Sequence, residues 1–339
     1  MHIAKDYNPL VSVVIPVRNG EQTLDSCLRS IRKSYYKNIE VVVVDDHSTD
    51  ATAEIARRHN CTLLDAGDGT GANSARNKGA RAATGGLLIF VDADIMVTRE
   101  TILGIVETLE EQSVDAVVGI YTAKHRHESF VSQYKNLWVR YSYMKSLPAI
   151  DWLFGAISGI KREAFERIGG FNVSLVNQQG TEDIELGKRF SQAKMNVVLD
   201  MDIEVEHLKH YTLGSFIKNE FTRSMGFAEL AVQLGETTRS VGKGFANVYP
   251  SFVISTFFSI AVLAVLVVDF LYGLSPWYSA GVAGIYLVLN IRFLNYLEQV
   301  RGLFAMFVMI PFLFIDHVVC FAGSVAGVFK GVFSKKKSS

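Results

Sequence analysis

Five apolar residues in a row, Leu87-Leu88-Ile89-Phe90-Val91, follow Gly85-Gly86 and end at Asp92-Ala93-Asp94. A run without polar alternation has no face to turn to water. It reads as a strand buried on both sides, as in parallel sheets covered by helices. Ligands of open α/β sheets bind outside the carboxyl ends of such strands. The run therefore delivers Asp92 and Asp94, one residue apart, to the mouth of a crevice. Two anionic oxygen ligands there suit a hard divalent cation, and such a cation suits a diphosphate. Taken alone, the same pattern is equally a solvated acidic turn closing a strand.

The surrounding pattern predicts the rest of that sheet. Val11 to Pro16 and Ile39 to Val44 read as strands, with a helix near Glu21 to Lys33 between them, its apolar positions at Leu24, Leu28 and Ile31. Thr49-Asp50 caps a helix through Arg58, because short polar side chains accept the free N–H groups of a first turn. A short strand over Cys61 to Asp65, a flexible loop Gly67-Asp68-Gly69-Thr70-Gly71 and a helix over Ala72 to Thr84 lead into the Leu87 strand. Ala116 to Ile120 is another strand. Tyr121 to Ile150 is aromatic and partly helical, with His125-Arg126-His127-Glu128 expected in an exposed loop. Ile157 to Ile160 is a strand, and Arg162 to Ile168 a helix ended by Gly169-Gly170. A helix follows Gly180-Thr181-Glu182-Asp183, and short strands are expected at Val197 to Leu199 and Ile203 to His207. Strands alternating with helices give an α/β fold, a mostly parallel sheet with helices on both faces.

The formal net charge is zero, so nothing global points to nucleic acid. The average conceals an asymmetry, with charges concentrated in the first 245 residues and an apolar remainder up to Lys335-Lys336-Lys337. Pro250 to Val268 is long enough to cross about 30 Å of hydrocarbon. Trp277 to Ile291 is a shorter run, and Leu303 to Phe329 a third with Asp316-His317 at its centre. Ionisable residues at membrane depth are costly, so that pair reads either as functional or as an interhelical contact. Tyr211 to Leu234 has helical spacing, as a surface helix or one lying in the membrane interface. Lys and Arg favour the cytoplasmic side. A cytoplasmic N-terminal domain, Arg292 and Arg301 inside, and an inside basic tail cannot all hold with three full crossings. Either the third run is a re-entrant hairpin or the tail departs from the charge rule. Met1 to Pro9 carries no hydrophobic segment, so no signal peptide is expected. Cys27, Cys61 and Cys320 form no ligand spacing or disulfide framework and fit a reducing compartment. The expected organisation is a catalytic domain over 1–208, an amphipathic or interfacial linker over 209–247, a transmembrane region over 248–333 with two to four segments, and a basic tail over 334–339.

Several motifs occur in one order: Val11-Ser12-Val13-Val14-Ile15-Pro16-Val17-Arg18-Asn19, Val44-Asp45-Asp46-His47-Ser48-Thr49-Asp50, Ala75-Arg76-Asn77-Lys78-Gly79, Phe90-Val91-Asp92-Ala93-Asp94, Gly169-Gly170-Phe171-Asn172, Thr181-Glu182-Asp183 and a late His207. Over roughly residues 10 to 225 the chain resembles the family 2 glycosyltransferases of the GT-A (Rossmann-like) fold. The apolar C-terminal part matches only that family's membrane-anchored branches.

The resemblance implies a nucleotide-sugar donor, UDP- or GDP-linked, a divalent metal (Mg²⁺ or Mn²⁺), and inversion at the anomeric carbon. By motif, Pro16, Arg18 and Asn19 line the nucleotide pocket, Asp46 bonds the base, Arg76 contacts the nucleotide or its phosphates, and Asp92 serves the ribose or metal side. Asp94 and His207 are the implied metal ligands, and Asp183, beside Glu182, the catalytic base. Without the resemblance, Asp46 is equally a turn residue, Glu182 and Asp183 suit a helix N-terminus through its dipole, and His207 is an ordinary structural histidine. Processive members carry Gln-x-x-Arg-Trp after the base. Here Glu220-Phe221-Thr222-Arg223-Ser224 keeps only the arginine, which reads as a phosphate ligand or an ion-pair partner. The missing tryptophan and the few apolar runs favour transfer of a single sugar to a lipid or lipid-linked acceptor, such as a polyprenyl phosphate. The expected enzyme is an integral membrane protein with its catalytic domain in the cytoplasm. A polysaccharide synthase subunit and an inactive membrane scaffold are the alternatives.

Overall fold

A computed structural model describes residues 8–69, 71–145, 150–174, 181–235, 249–273 and 275–338, with side chains as far as 333. Thr70 of the expected glycine loop, Gly180, residues 236–248 of the expected linker and the side chains of the basic tail lie outside the described residues. The chain divides into two compact units, Met1–Arg126 with Ser146–Lys209, and His127–Lys145 with His210–Ser339.

The first unit is an α/β layer built on eight strands: β1 (Val11–Val17), β2 (Ile39–Asp45), β3 (Thr62–Asp65), β4 (Leu87–Val91), β5 (Ile95–Val97), β6 (Ala116–Tyr121), β7 (Ile157–Lys161) and β8 (Val197–His207). Their order in the sheet is β3-β2-β1-β4-β7-β6-β8-β5. β1, β2, β3 and β4 run parallel, as do β6 and β8, while β7 and β5 pair antiparallel with their neighbours. The sheet is therefore mixed and mostly parallel. β4 is central and buried at every residue, as its unbroken apolar run requires. The helices of this unit are α1 (Leu24–Arg32), α2 (Thr52–Arg58), α3 (Ala72–Ala82), α4 (Thr101–Glu111), with α5 (Phe130–Met144) intervening in sequence but belonging to the other unit, then α6 (Arg162–Arg167) and α7 (Glu182–Gln192).

Three local features differ from expectation. Val197 to Leu199 and Ile203 to His207 belong to one strand, β8, which keeps pairing with β6 across a register irregularity between Val118 and Ile120. The polar Asp200 and Asp202 interrupt the apolar pattern there, and Asp202 donates its N–H to the Asp200 carboxylate at 3.0 Å. His125 is buried, not exposed, with its ring edge-on to His207 at 6.5 Å. Asp50 is not itself the residue before α2, yet its carboxylate accepts the Thr52 N–H at 3.0 Å and the Glu21 N–H at 3.1 Å.

The second unit is helical: α5, α8 (Leu213–Leu234), α9 (Pro250–Tyr272), α10 (Pro276–Leu289) and α11 (Ile291–Ser338). Among the described residues two helices, Pro250–Tyr272 and Ile291–Phe333, are long and apolar enough to cross a membrane, while Pro276–Leu289 is shorter. α11 bends at Gly302, whose φ of 82° and ψ of 167° are non-helical. Beyond that bend the third apolar run is a single helix containing Pro311, and not a re-entrant hairpin. Its Gly323, Gly327 and Gly331 recur every four residues and share one face. A Cβ at the first two would run into the backbone oxygens of Phe221 and Met225, so α11 lies directly on the backbone of α8. α8 starts with a capping box between Thr212 and Ser215 and ends at Gly235 in the left-handed conformation.

Candidate active site

In the α/β unit, the pairing Val17↔Asp45 and Val14↔Phe90 brings the carboxyl ends of β1, β2 and β4 to one edge of the sheet. β1 sits between β2 and β4, so the connections leave it in opposite directions, which opens the crevice where α/β sheets bind ligands. Pro16 lies buried within β1, past Val14↔Phe90, the last pair between β1 and β4. A missing N–H is tolerated on the β4 side, where pairing has stopped, while Pro16 still lies opposite Val44 of β2. Arg18 follows it on the surface.

The loops after β1 and β2 are fastened to each other. Asn19 donates its backbone N–H to Ser48 Oγ at 2.8 Å, and its Oδ1 accepts the Thr49 N–H at 2.9 Å. Asp46 is anchored through its N–H to the Val17 carbonyl at 2.7 Å. Its buried carboxylate accepts the Gly71 N–H at 2.9 Å on Oδ2, and Oδ1 lies 3.1 Å from His47 Nδ1.

Four acidic residues gather beyond β4. Asp92 and Asp94 come from the β4–β5 turn, closed by the Ile95 N–H bond to the Asp92 carbonyl at 3.0 Å. Glu182 and Asp183 come from the first turn of α7. Between them lies Arg76 of α3, only 3% exposed. Its Nη2 donates to Asp92 Oδ1 at 2.8 Å, and Nη1 lies 3.8 Å from Glu182 Oε1. Arg76 Nε and Nη1 are buried without a hydrogen bond among the described residues. Arg76 and, at Asp94, the charge of Lys209 face four carboxylates, so the cluster is under-neutralised, and the orphaned N–H groups are suited to an anionic oxygen.

Asp183 is held by backbone: Oδ2 accepts the Gly155 N–H and Oδ1 the Ile184 N–H, each at 3.0 Å. Burial, and then the charge of Glu182, push its carboxyl up to about 7. Asp92 is raised by burial, against the pull of Arg76 and with the push of Asp94. Burial also acts to raise Asp94, but the charge and hydrogen bond of His207 and the charge of Lys209 together outweigh it and hold Asp94 below the usual carboxylate range.

His207 ends β8 opposite Ile95, which places Nε2 3.4 Å from Asp94 Oδ2. The Leu208 N–H bond to the Asp94 carbonyl at 2.8 Å fixes that approach, and Tyr121 stacks on the imidazole at 4.7 Å with 7° between planes. A carboxylate oxygen and an imidazole nitrogen at this separation can both touch one cation with bonds of about 2.0–2.2 Å. The donor set and the surplus negative charge thus fit a divalent ion.

The structure brings together Arg76, Asp92, Asp94, Glu182, Asp183 and His207. Arg223 lies in the helical unit, with Nη2 2.6 Å from Glu220 Oε2. Two contributors escape sequence reasoning. Tyr121 has no signal beyond ending a strand. Gly155 had one available, a lone glycine after Trp152-Leu153-Phe154. A Cβ there would stand 2.9 Å from Arg76 Nη2, so a side chain at this position would push the guanidinium aside.

Residues 12–169 match the family described as Glycosyl transferase family 2, and residues 140–212 match the N-terminal domain of galactosyltransferase. The chain is 34% identical over 123 residues to glycosyltransferase GlyA of Streptococcus pneumoniae serotype 4, covering 35% of this chain and 18% of that one. It is 28% identical over 234 residues to glycosyltransferase AglE of Haloferax volcanii, covering 64% and 73%. The match spans only 18% and 39% of the pneumococcal relatives GlyA and GlyG. In fold, the chain is similar to the mannosyltransferase PcManGT from Pyrobaculum calidifontis, solved with GDP-Man and Mn2+, at 21% identity and a TM-score of 0.59 over 97% of this chain and 89% of that one. It is also similar to glucosyl-3-phosphoglycerate synthase from Mycobacterium tuberculosis, at 18% identity and a TM-score of 0.50 over 67% and 80%.

Proposed function

We propose, for a chain that belongs to the family 2 glycosyltransferases, that it moves one sugar from a UDP- or GDP-linked donor to a lipid or lipid-linked acceptor, with inversion and with help from Mg²⁺ or Mn²⁺. The observation that carries this reading is the under-neutralised cluster around Arg76, within which Asp183 is held by two backbone N–H groups. Asp94 and His207 would hold the cation, which when bound offsets the negative charge gathering on the departing diphosphate. Mn2+ in the PcManGT complex supports that assignment.

The chain's own groups do the rest. Arg76 holds Asp92 in place and offers its unpaired N–H groups to a phosphate oxygen. Asp183 takes the proton of the acceptor hydroxyl. A general base works best with a pKa near the working pH, and Asp183 is pushed up to about 7. An acceptor that is already a phosphate needs little of this help, and Asp183 then chiefly orients it. Glu182 keeps Asp183 basic through its charge. Asp46 faces the nucleobase, with Asn19 fastening the two loops beside it. The two long apolar helices support membrane anchorage, with the α/β unit on the cytoplasmic side where nucleotide sugars are made.

A panel of UDP- and GDP-sugars, incubated with the full chain, extracted lipid and Mn²⁺ or Mg²⁺, tests this by mass analysis of the lipid product. A singly glycosylated lipid is expected. Repeated addition to one chain would favour a polysaccharide synthase, and neither transfer nor hydrolysis of any donor would favour an inactive scaffold.

A further inference from the structure

We infer that Tyr121 and Phe154 are positioning residues that tie the metal side of the site to the base side, so that the two are held as one piece; this rests on the proposed reading that Asp94 and His207 hold the cation and Asp183 takes the proton. The sheet order β7-β6-β8 puts β6 between the strand that ends at His207 and the strand that follows Gly155. Tyr121 is the last residue of that middle strand and lies opposite Val205 of β8. Side chains two residues apart in a strand share a face, so His207 stands on the face of Val205, one step further on. Tyr121 meets it there, 4.7 Å between ring centroids and 7° between planes. On its other side β6 pairs antiparallel with β7, from Ala116↔Ile160 to Val117↔Gly159 and Val118↔Ser158. The segment before β7 therefore returns beside the end of β6, and the Phe154 ring meets Tyr121 at 5.0 Å, edge to face, with 61° between planes. Aromatic pairs favour that geometry.

The backbone around Phe154 is committed to the base side. The Leu153 N–H donates to the Asp183 carbonyl at 3.1 Å, and the Gly155 N–H to Asp183 Oδ2 at 3.0 Å. The Ala156 carbonyl accepts the Asp92 N–H at 3.3 Å, and the Ile157 N–H bond to the Phe154 carbonyl at 3.2 Å closes the turn. A shift of the Phe154 ring thus moves the peptides that hold Asp183. A shift of Tyr121 moves the surface against which the His207 imidazole lies. His207, Tyr121 and Phe154 form a row of three rings, with a proposed metal ligand at one end and the support of the base at the other. Tyr121 is buried and Phe154 half-buried. In a close-packed interior such a row passes displacement on, because its rings have no empty space to turn into. Groups that orient a ligating imidazole tune the affinity for its metal.

The test titrates Mn²⁺ alone into the full chain in detergent and reads the free ion by electron paramagnetic resonance, with melting temperature and kcat at saturating Mn²⁺ measured alongside. Tyr121→Leu keeps an apolar group but no ring face, and is expected to bind Mn²⁺ about tenfold more weakly. Tyr121→Phe keeps the ring and is expected to stay close to wild type. Phe154→Leu changes only the far ring of the row. It is expected to weaken Mn²⁺ binding by about threefold or more, and to lower kcat even when Mn²⁺ saturates. Rings that merely fill space would lower the melting temperature and leave the Mn²⁺ affinity of the folded protein unchanged. Wild-type Mn²⁺ affinity in folded Tyr121→Leu, or in Phe154→Leu, overturns the inference and leaves the proposed function standing. Should Tyr121→Leu fail to fold, Phe154→Leu decides alone. A wild-type chain that binds no Mn²⁺ overturns the metal assignment and this inference together.

Discussion

In the α/β unit Asp92, Asp94, Glu182 and Asp183 share the cations Arg76 and, at Asp94, Lys209. In the helical unit a single carboxylate, Glu220, engages two, Lys135 and Arg223, and is fully buried. Both groups draw residues from distant parts of the sequence, but only the second balances itself. Burial would raise the Glu220 pKa, yet Arg223 and Lys135 hold it down to about 2. Asp316 accepts the Tyr134 hydroxyl at 2.8 Å, and His317 Nδ1 meets the Tyr286 hydroxyl at 2.6 Å, so this pair makes interhelical contacts. Glu220, Asp316 and Cys320 have ligand atoms within 4.8 Å of one another, as a metal site would. With Lys135 and Arg223 already on Glu220, a cation there would meet two like charges. Position near other acids therefore does not make a metal site; unmet negative charge does, and it lies around Asp94.

The comparison breaks most readily at Asp183. Asp183→Asn keeps the shape and the Gly155 contact but removes the base. Turnover on a hydroxyl acceptor is expected to fall by about 10²–10⁴-fold, with nucleotide affinity unchanged by calorimetry. Turnover near wild type on such an acceptor would remove Asp183 as the base.

The helical cluster should answer in stability instead. Glu220→Gln strands two buried cations, and breaking a buried pair in this way costs about 3–5 kcal/mol. Lys135→Met leaves the Glu220–Arg223 pair intact and should cost much less. Thermal melts of both variants, with nucleotide binding measured alongside, check this. Equal melting temperatures, or a selective loss of nucleotide binding in Glu220→Gln, would show that the balanced cluster is not structural.

Asp94→Asn should act between these two. It removes one of the two groups placed to hold the cation, so the Mn²⁺ concentration for half-maximal activity is expected to rise about tenfold or more, in the range seen for groups that support a metal site. The melting temperature without metal should fall slightly, because His207 and Lys209 favour the ionised Asp94 that the substitution removes. An unchanged Mn²⁺ requirement would move the metal site away from Asp94.

How these clusters looked in the sequence depends on how local their parts are. β1, β2 and β4 were legible because a strand buried on both faces needs an unbroken apolar run, and the carboxylates at their ends came with them. The pairing of β7 between β4 and β6 was not, since a five-residue strand carries no record of its neighbours. The same limit applies to α5, whose periodicity marks a helix but not the unit it joins. The tryptophan missing after Arg223 shows this most clearly. Trp138 of α5 places its ring 4.7 Å from the Arg223 guanidinium, a contact that spacing along one helix cannot reveal.

The smallest expected effect on stability is in its pH dependence, and it separates the clusters by sign. Asp183 moves from an ordinary 3.8 to about 7, through burial first and then Glu182. Between those values the folded chain keeps a proton that the unfolded chain has released. The stability this group contributes is thus present below pH 3.8 and lost as pH rises through about 7. Glu220 is shifted the other way, so its contribution is present above the usual 4.5 and lost only as pH falls through about 2. From roughly pH 5 to 8 wild type should therefore lose more melting temperature than Asp183→Asn, which cannot ionise there. Turnover should climb over the same interval, about tenfold per unit below pH 7 and level above it, because the base must be ionised to act. A rate that is flat across this range with a hydroxyl acceptor, or equal melting slopes in the two proteins, would show that Asp183 is already ionised and that the crowding of the four carboxylates leaves no proton behind.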